Sequence, residues 1–457
     1  MSRPERLYAL DHLGLPQGFQ PSRASSLKLA ETLDADWIVV GSYVTDGPAI
    51  IAEARLVDVP HLRMGEAVTA RGEMRDMPGV FGSLAWKLTR QLDPRFNVAE
   101  ETFVAASKGP RLDAFEQYIR GITEPDQQER LLHLKQAVTL GSEMGQAWMA
   151  LGREEYNNQH YQDAAQAFAR VGPNDADALE AGFYRGLSLL FSGDYPRAED
   201  AFRSVAKVLP LPEVINNQGV ALSRRGKDAG VLFRQAIAAD PTVADYHFNL
   251  AISLKHKGDI AEALTELAQC LHLRPSDIEA QDLQDLWKSA AAGAEGSKAA
   301  DPLERIVRTF NAVAFRQAAQ MMDQVETAKL AALTPHERAQ RLAAQARDFL
   351  NHGLLLEAER ASLSAVADDN KLPEAHASLA EVRERTGDAN AARREATTSL
   401  ELLPSVNAYL VLGRLDLAAG RLDVADTEAE SALRIDPESK PALDLKRQIA
   451  NRNASKK

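Results

Sequence analysis

One order of small residues, aromatic rings and prolines recurs along this chain and constrains its fold more than any other feature. The stretch GDYPRAEDAFRSVAKVLP, residues 193–210, is one copy. Ala198 lies 34 positions after Ala164, and Pro437 lies 33 positions after Pro404. A period near 34 predicts stacked helical hairpins, because a single hairpin cannot bury its own apolar face.

The residue types within each copy suit two closely packed helices. Small residues such as Gly186 and Ala198 let the helices approach, and large ones such as Phe168 and Phe202 are expected to fill the space between neighbouring hairpins. A glycine such as Gly193, after the first helix, tolerates the left-handed backbone that ends a helix. A proline after the second helix prevents that helix from continuing.

These positions resemble the tetratricopeptide repeat family at its diagnostic sites. In one copy they are Trp148, Leu151, Gly152, Tyr161, Ala164 and Phe168. The resemblance implies a mainly α fold, a tetratricopeptide α-solenoid in two blocks at 111–288 and 338–440. We expect a capping helix at 441–452 and a disordered tail at 453–457.

The sequence between the two blocks changes in composition. Residues 289–302 contain no large apolar side chain and predict a flexible linker. Beyond it, 303–337 is expected to form connecting helices. The reason is that Ile306, Phe310 and Met321 recur at helical spacing.

The first hundred residues are not repetitive. Their patterns predict the order helix, strand, strand, strand, helix, with Val80, Leu84 and Leu88 on one face of the last helix. The run ADWIVVGSYVTDG and the later LVDV resemble the TolB-like amino-terminal domain over about residues 5–95. The resemblance implies a small α/β domain at 1–98. It is expected to be incomplete at its start, because TolB-like domains begin with a further strand and helix.

Composition argues against several classes of function. A formal net charge of −12 disfavours phosphate-backbone binding, so no nucleic-acid partner is expected. The single cysteine, Cys270, excludes an internal disulfide, and its helical setting predicts a buried thiol. No apolar run is long enough to span a membrane. No signal peptide is evident, so the chain as written is expected in the cytoplasm, or in the periplasm or envelope if its true start lies upstream.

No arrangement of catalytic or metal-binding residues is evident, so the chain is predicted to be neither an enzyme nor a holder of a metal or cofactor. Phosphate loops, HExxH and GxSxG are absent from the sequence. His247 and His376, each four residues into a repeat, are expected to pack. Glu154 and Glu155 lie among other charges and are expected on a solvated face.

The family resemblance implies that the first helix of each repeat lines a concave groove. The side chains placed there by this correspondence are Arg153, Tyr156, Asn157, Phe183, Tyr184, Asn216, Asn217, Arg224, Phe248, Asn249, Lys255 and His256. Asparagine can bind the backbone of an extended peptide, and aromatic rings supply anchoring area. The same asparagines could instead join neighbouring hairpins. The second block offers a more charged set of groove residues: Glu374, Glu381, Glu384, Arg385, Asn407 and Arg414.

The leading hypothesis is therefore a non-enzymatic scaffold that binds another protein or a peptide segment in this groove. Two alternatives remain open at this point. One is an accessory protein of the bacterial envelope or of secretion, as the TolB-like resemblance suggests. The other is a regulatory module whose α/β domain senses a small ligand.

Overall fold

The computed structural model describes residues 10–14, 23–33, 35–106, 109–291 and 302–454. The fold is mainly helical, with one small antiparallel sheet near the beginning of the chain, as the sequence predicts. Two compact units are present. One contains the described parts of Met1–Gly109 and Lys329–Lys457, and the other is Pro110–Ala328.

The α/β part follows the predicted order of helix, strands and helix, but it has four strands where three were predicted, because a two-residue strand is added. Helix α1 is Arg23–Thr32, the strands are β1 Trp37–Asp46, β2 Ala49–Asp58, β3 Arg63–Met64 and β4 Val68–Glu73, and helix α2 is Met77–Leu92. Strand β2 pairs antiparallel with β1 on one side and with β3 and β4 on the other. Alternate residues of β2, among them Ile50 and Leu56, are buried and share a core with Val80 and Leu84 of α2.

A short helix, α3 Glu100–Ala106, joins this part to the second repeat block within the same unit. The backbone amide of Ala99, just before α3, donates a hydrogen bond of 3.1 Å to Glu359, whose side chain is fully buried. Arg383 forms an ion pair with the same carboxylate at 2.7 Å. The sequence, read from one end to the other, did not predict that these distant segments belong to one unit.

The first repeat block is a series of antiparallel helix pairs followed by one further helix. Its elements are α4 Leu112–Thr123, α5 Gln127–Leu140, α6 Gly145–Asn157, α7 Tyr161–Phe168, α8 Ala178–Phe191, α9 Tyr195–Val208, α10 Pro212–Ser223, α11 Gly230–Ala239, α12 Ala244–Lys257, α13 Ile260–Leu273 and α14 Ile278–Ala291. Helix α14 continues into the start of the predicted 289–302 linker. Most of that linker, 292–301, lies outside the described residues.

The second block has the same construction. Its pairs are α16 Pro335–Asn351 with α17 Leu355–Asp368, α18 Pro373–Arg385 with α19 Ala389–Leu402, and α20 Val406–Ala418 with α21 Leu422–Ile435, and α22 Lys440–Ala454 follows. Helix α15, Ala312–Ala331, precedes them. The predicted tail at 453–457 falls partly on α22, and 455–457 lie outside the described residues.

The small residues of the repeat serve close packing within each hairpin. A Cβ atom added at Gly152, Gly186 or Gly219 would lie 2.6–2.7 Å from a phenylalanine ring of the following helix. The ring of Phe202 therefore fits directly beneath Gly186 of its own hairpin, whereas the sequence pattern predicted it only between hairpins. The ring of Phe168 also stacks on Tyr184 of the next hairpin, with centroids 5.9 Å apart.

The turn after the first helix of a pair takes the left-handed backbone that the glycines predict. Gly193 has a φ of 80° and Gly258 a φ of 91°. In the α6–α7 pair, which lacks this glycine, Gln159 takes the same conformation with a φ of 61°. In that pair the turn therefore holds a residue with a Cβ atom in this conformation.

Candidate functional site

The candidate site is the face of the first block formed by α8, α10 and α12. Asn216 and Asn217 of α10 and Asn249 of α12 are completely buried there. The Nδ2 atom of Asn249 donates to Oδ1 of Asn216 at 2.9 Å, so these side chains do join neighbouring hairpins. That contact uses only part of their hydrogen-bonding capacity.

A stretch of the same chain, residues 302–311 with the sequence PLERIVRTFN, lies along this face without helix or strand structure. We call it the inner segment. The helical expectation for 303–311 is therefore wrong, and helix α15 begins only at Ala312. Spacing alone misled the prediction, because Ile306 and Phe310 contact the core of the first block from a segment that is not helical.

Two asparagines bind the backbone of the inner segment in the same way. The amide nitrogen of Arg305 donates to Oδ1 of Asn249 at 2.6 Å, and Nδ2 of Asn249 donates to the Arg305 carbonyl at 2.8 Å. Asn217 repeats the pair with Val307, at 3.0 Å and 2.7 Å. In extended chain, the amide and carbonyl of alternate residues face the same edge. The two asparagines thus bind residues two positions apart, which is the spacing that an extended strand presents along one edge.

Arg305 anchors the inner segment through its side chain. Its guanidinium lies over the ring of Phe248, 3.6 Å from the centroid. It also forms ion pairs with Asp245 at 3.2 Å, with Asp277 at 2.8 Å and with Glu279 at 2.8 Å. A planar guanidinium suits this combination of ring and carboxylates, because it can stack and form several hydrogen bonds at once.

The charges around Arg305 reinforce one another. The hydrogen bond from Arg305 lowers the pKa of Asp277, against the opposing effect of burial. Burial works to lower the pKa of Arg305, but hydrogen bonds to Asp277 and Glu279 outweigh it and raise that pKa. Asp277 and Arg305 are therefore both charged at neutral pH.

Contacts on either side of Arg305 complete the binding of the inner segment. The buried carboxylate of Glu304 accepts a hydrogen bond from Ser223 and lies 3.5 Å from Nε of Arg224. Arg224 also donates to the Glu304 carbonyl at 3.0 Å. At the other end, the ring of Phe310 lies 5.5 Å from that of Phe183, measured between centroids.

The predicted groove residues that contact the inner segment include Phe183, Asn216, Asn217, Arg224, Phe248 and Asn249. Lys255 is half-buried on the same helix as Asn249. Residues Glu213, Asp245 and Asp277 also contact the segment and were missed. No sequence signal singled them out, because carboxylates are common on such helices and the position of the inner segment was unknown.

A cavity of about 400 Å³ beside the inner segment is lined by the predicted residues Arg153, Tyr156, Asn157 and Tyr184. Arg308 of the inner segment borders it. The rings of Tyr156 and Tyr184 lie 5.6 Å apart, and burial raises the pKa of Tyr156 to about 12. Arg153 forms an ion pair with Glu180 at 2.7 Å.

The charged groove residues predicted for the second block bind one another. Nε of Arg414 donates to Glu384 at 2.6 Å. Arg385 forms an ion pair with Glu381 and donates to the Leu350 carbonyl at 2.7 Å. Four of the six residues predicted for this block, Glu381, Glu384, Arg385 and Arg414, are therefore engaged within the fold.

Other sequence expectations have mixed outcomes. Cys270 is fully buried, and burial raises its pKa to about 11, so its thiol is a packing group as expected. Glu154 and Glu155 are buried and not solvated, because Arg130 and Lys135 of the preceding helix form ion pairs with them at 3.1 Å and 2.9 Å. Among the described residues, no helix is both long and apolar enough to cross a membrane.

Comparison with known proteins identifies the repeats. Residues 149–207 and 232–265 match the sequence patterns of the tetratricopeptide repeat family. The chain therefore contains tetratricopeptide repeats, as the spacing predicts. Both matches lie within the first block, and the TolB-like resemblance gains no support from them. A search of curated proteins found no match.

Several solved structures are similar to parts of the chain. YrrB, described as a tetratricopeptide protein with an unusual peptide-binding site, is 16% identical, covers 45% of this chain and 100% of its own, and has a TM-score of 0.34. A structure of MamA is 14% identical, covers 35% of this chain and 96% of its own, and has a TM-score of 0.33. MamA from Desulfovibrio magneticus RS-1 is 20% identical over 37% of this chain and 99% of its own, with a TM-score of 0.33.

Proposed function

We propose that the protein is a non-enzymatic interaction scaffold whose first repeat block binds an extended segment of a partner polypeptide. The observation that carries this proposal is the double hydrogen bonding by Asn217 and Asn249. Each side chain binds both main-chain groups of one residue, and the two bound residues are alternate ones. This spacing fits an extended backbone and would not fit a helix, whose amides and carbonyls bond within the helix.

The chemistry of the face supports a peptide over other ligands. A net charge of −12 and the carboxylates of Asp245 and Asp277 disfavour a nucleic acid or another polyanion. The buried side chains in contact with the inner segment include amides, carboxylates and aromatic rings. These groups bind a polypeptide backbone and its side chains, and we assign them no catalytic role.

The α/β part enters the proposal only as a second recognition element. Its antiparallel sheet shares a hydrophobic core with helix α2. In β1, large side chains such as Trp37 and Tyr43 are substantially exposed. The partner-binding activity proposed above does not depend on this part.

The test uses a fluorescently labelled decapeptide, PLERIVRTFN, as the probe. The receptor is the full chain with residues 302–311 replaced by a glycine-serine sequence of equal length, which we call the open variant. We expect saturable binding by fluorescence anisotropy. Asn217→Ala together with Asn249→Ala in the open variant should weaken binding at least tenfold. The reason is that each lost amide leaves a main-chain pair without its partners, at a cost of about 1–3 kcal/mol per unsatisfied group.

The matched control is Ser378→Ala, which removes a polar side chain at the corresponding repeat position in the second block. It should leave peptide affinity unchanged. Circular dichroism and thermal melting confirm that each variant is folded. Absence of peptide binding to a folded open variant would refute the proposed function.

A further inference from the structure

The inner segment shows which side chains the first block can select. The side chains of Glu304, Arg305 and Phe310 make specific contacts, whereas Leu303 is 67% exposed and Thr309 is also exposed. The first block can therefore select side chains at only some positions of a bound segment. The exposed positions between them contribute little to selection.

The arginine site is the most demanding of these positions. Carboxylates of Asp245, Asp277 and Glu279 converge on one guanidinium, and the ring of Phe248 lies beneath it. A lysine would lose both the stacking and the forked hydrogen bonds. A neutral residue would leave the 6% exposed Asp277 side chain without its main partner.

The neighbouring positions add an acidic and an aromatic requirement. Ser223 and Arg224 accommodate the Glu304 carboxylate immediately before Arg305. Ile306 contacts the main core of the block, and Val307 contacts a second cluster around Ile215. Five residues after the arginine, the Phe310 ring meets the fully buried ring of Phe183.

We propose that the partner segment bound by the first block carries this same pattern: glutamate, arginine, two aliphatic residues and an aromatic ring five positions after the arginine. The inner segment is then a built-in competitor that occupies the groove until such a partner displaces it. This inference rests on the proposed function, because it assumes that the groove binds polypeptide from outside the chain.

Covalent attachment gives the inner segment an advantage over a free partner. A short tether provides an effective concentration on the order of 1 mM, so a segment whose free Kd is on the order of 10 μM fills the groove about 100 times as often as it leaves it empty. Apparent affinity for an outside ligand falls by the fraction of groove that is open. The wild-type chain should therefore bind the labelled decapeptide about 100-fold more weakly than the open variant.

The experiment compares anisotropy titrations of that decapeptide into three full-length proteins: wild type, the open variant, and a wild-type background carrying Arg305→Ala with Phe310→Ala. The double substitution weakens the contacts of the inner segment with the groove but leaves the segment in the chain. We expect the open variant to bind most tightly, the double variant next and the wild type at least tenfold more weakly than the open variant. Peptides with alanine in place of the glutamate, the arginine or the phenylalanine should each bind the open variant at least fivefold more weakly.

The outcomes separate the two proposals. Equal affinity of wild type and open variant would overturn the competitor role while leaving peptide binding intact. Equal binding of all the alanine peptides would overturn the stated pattern. A concentration-dependent dimer of the wild type, absent from the open variant in analytical ultracentrifugation, would assign the inner segment to the groove of a second copy and overturn competition within one chain. Failure of every folded protein to bind the peptide would remove the proposed function as well.

Discussion

The first and second repeat blocks contain the same buried histidine but differ one residue further along the helix. His247 and His376 contact a glutamate through Nδ1, Glu266 and Glu395 respectively, each at 2.7 Å. Each also contacts, through Nε2, a backbone carbonyl six residues earlier. The two helices therefore share one register within their repeats.

The residues after each histidine differ in what they contact among the described residues. Phe248 and Asn249 follow His247 and contact Arg305. Ala377 and Ser378 follow His376, and the Ser378 hydroxyl donates back to its own helix at 2.9 Å. Two side chains at fixed positions in the repeat thus distinguish the helix that holds Arg305 from its counterpart in the second block.

The interiors of the two blocks differ in a parallel way. In the first block, Gly186 of α8 faces Phe202 of α9. In the second block, the positions at the same distances from the small residue of the repeat are Ala380 and Ala396, which lie in one core cluster. In the first block this space is filled by the Phe202 ring opposite a glycine. In the second block it is filled by the methyl groups of two alanines.

Removing the Phe202 ring should have the largest effect on the difference between the interiors of the two blocks. Phe202→Ala should lower the free energy of unfolding by about 3–5 kcal/mol, because the backbone on both sides cannot close the cavity completely. Urea denaturation followed by circular dichroism measures it. Val208→Ala, at a 53% exposed position of the same helix, should change it by less than about 0.5 kcal/mol. A loss below about 1 kcal/mol for Phe202→Ala would show that the block repacks freely.

Adding a methyl group should have a smaller effect in the same place. Gly186→Ala places a Cβ atom 2.6 Å from the Phe202 ring, and the resulting overpacking should cost about 1–3 kcal/mol. Combining it with Phe202→Leu should recover part of that loss, since the smaller side chain leaves room for the methyl group. If Gly186→Ala melts like wild type, the close approach of these helices does not limit stability.

The histidine of the second block should give the smallest effect, and one that depends on pH. A hydrogen bond to Glu395 raises the pKa of His376 above its usual 6.5, and burial opposes this shift only in part. A raised folded-state pKa stabilises the fold fully below about pH 6.5, and this contribution is lost as pH rises through the folded-state value. The stability difference between wild type and His376→Gln should therefore shrink between pH 6 and pH 9 in urea titrations. A constant difference would assign His376 a packing role alone.

The sequence predicted the helix pairs well because each hairpin is specified by its own residues. Gly193 and Phe202 determine a local turn and a local contact, and neither needs knowledge of distant parts of the chain. Glu154 and Glu155 failed as surface residues for the opposite reason. Their partners, Arg130 and Lys135, lie on the preceding helix, and only the packed hairpins bring these charges together.

The groove residues of the candidate site could be predicted from the sequence, but the inner segment that occupies the groove could not. Asn217 and Asn249 stand at repeat positions that the family resemblance assigns to the concave face. The inner segment has no such frame, and its apolar spacing fits a helix as well as an extended chain. Its conformation depends on hydrogen bonds to residues far away in sequence. One of these bonds joins the Asn311 amide nitrogen to the Glu213 carboxylate at 3.1 Å.

The alternate spacing of the two clamped residues constrains how any strand can sit in the first block. A strand displaced by one residue would turn its other edge toward the asparagines and lose all four main-chain bonds. A displacement by two residues would restore those bonds but bring valine, not arginine, to the acidic site, since Val307 follows Arg305 at that interval. The asparagines thus accept a strand only when it is displaced by an even number of residues. Among those positions, the carboxylates select the one that brings arginine to the acidic site.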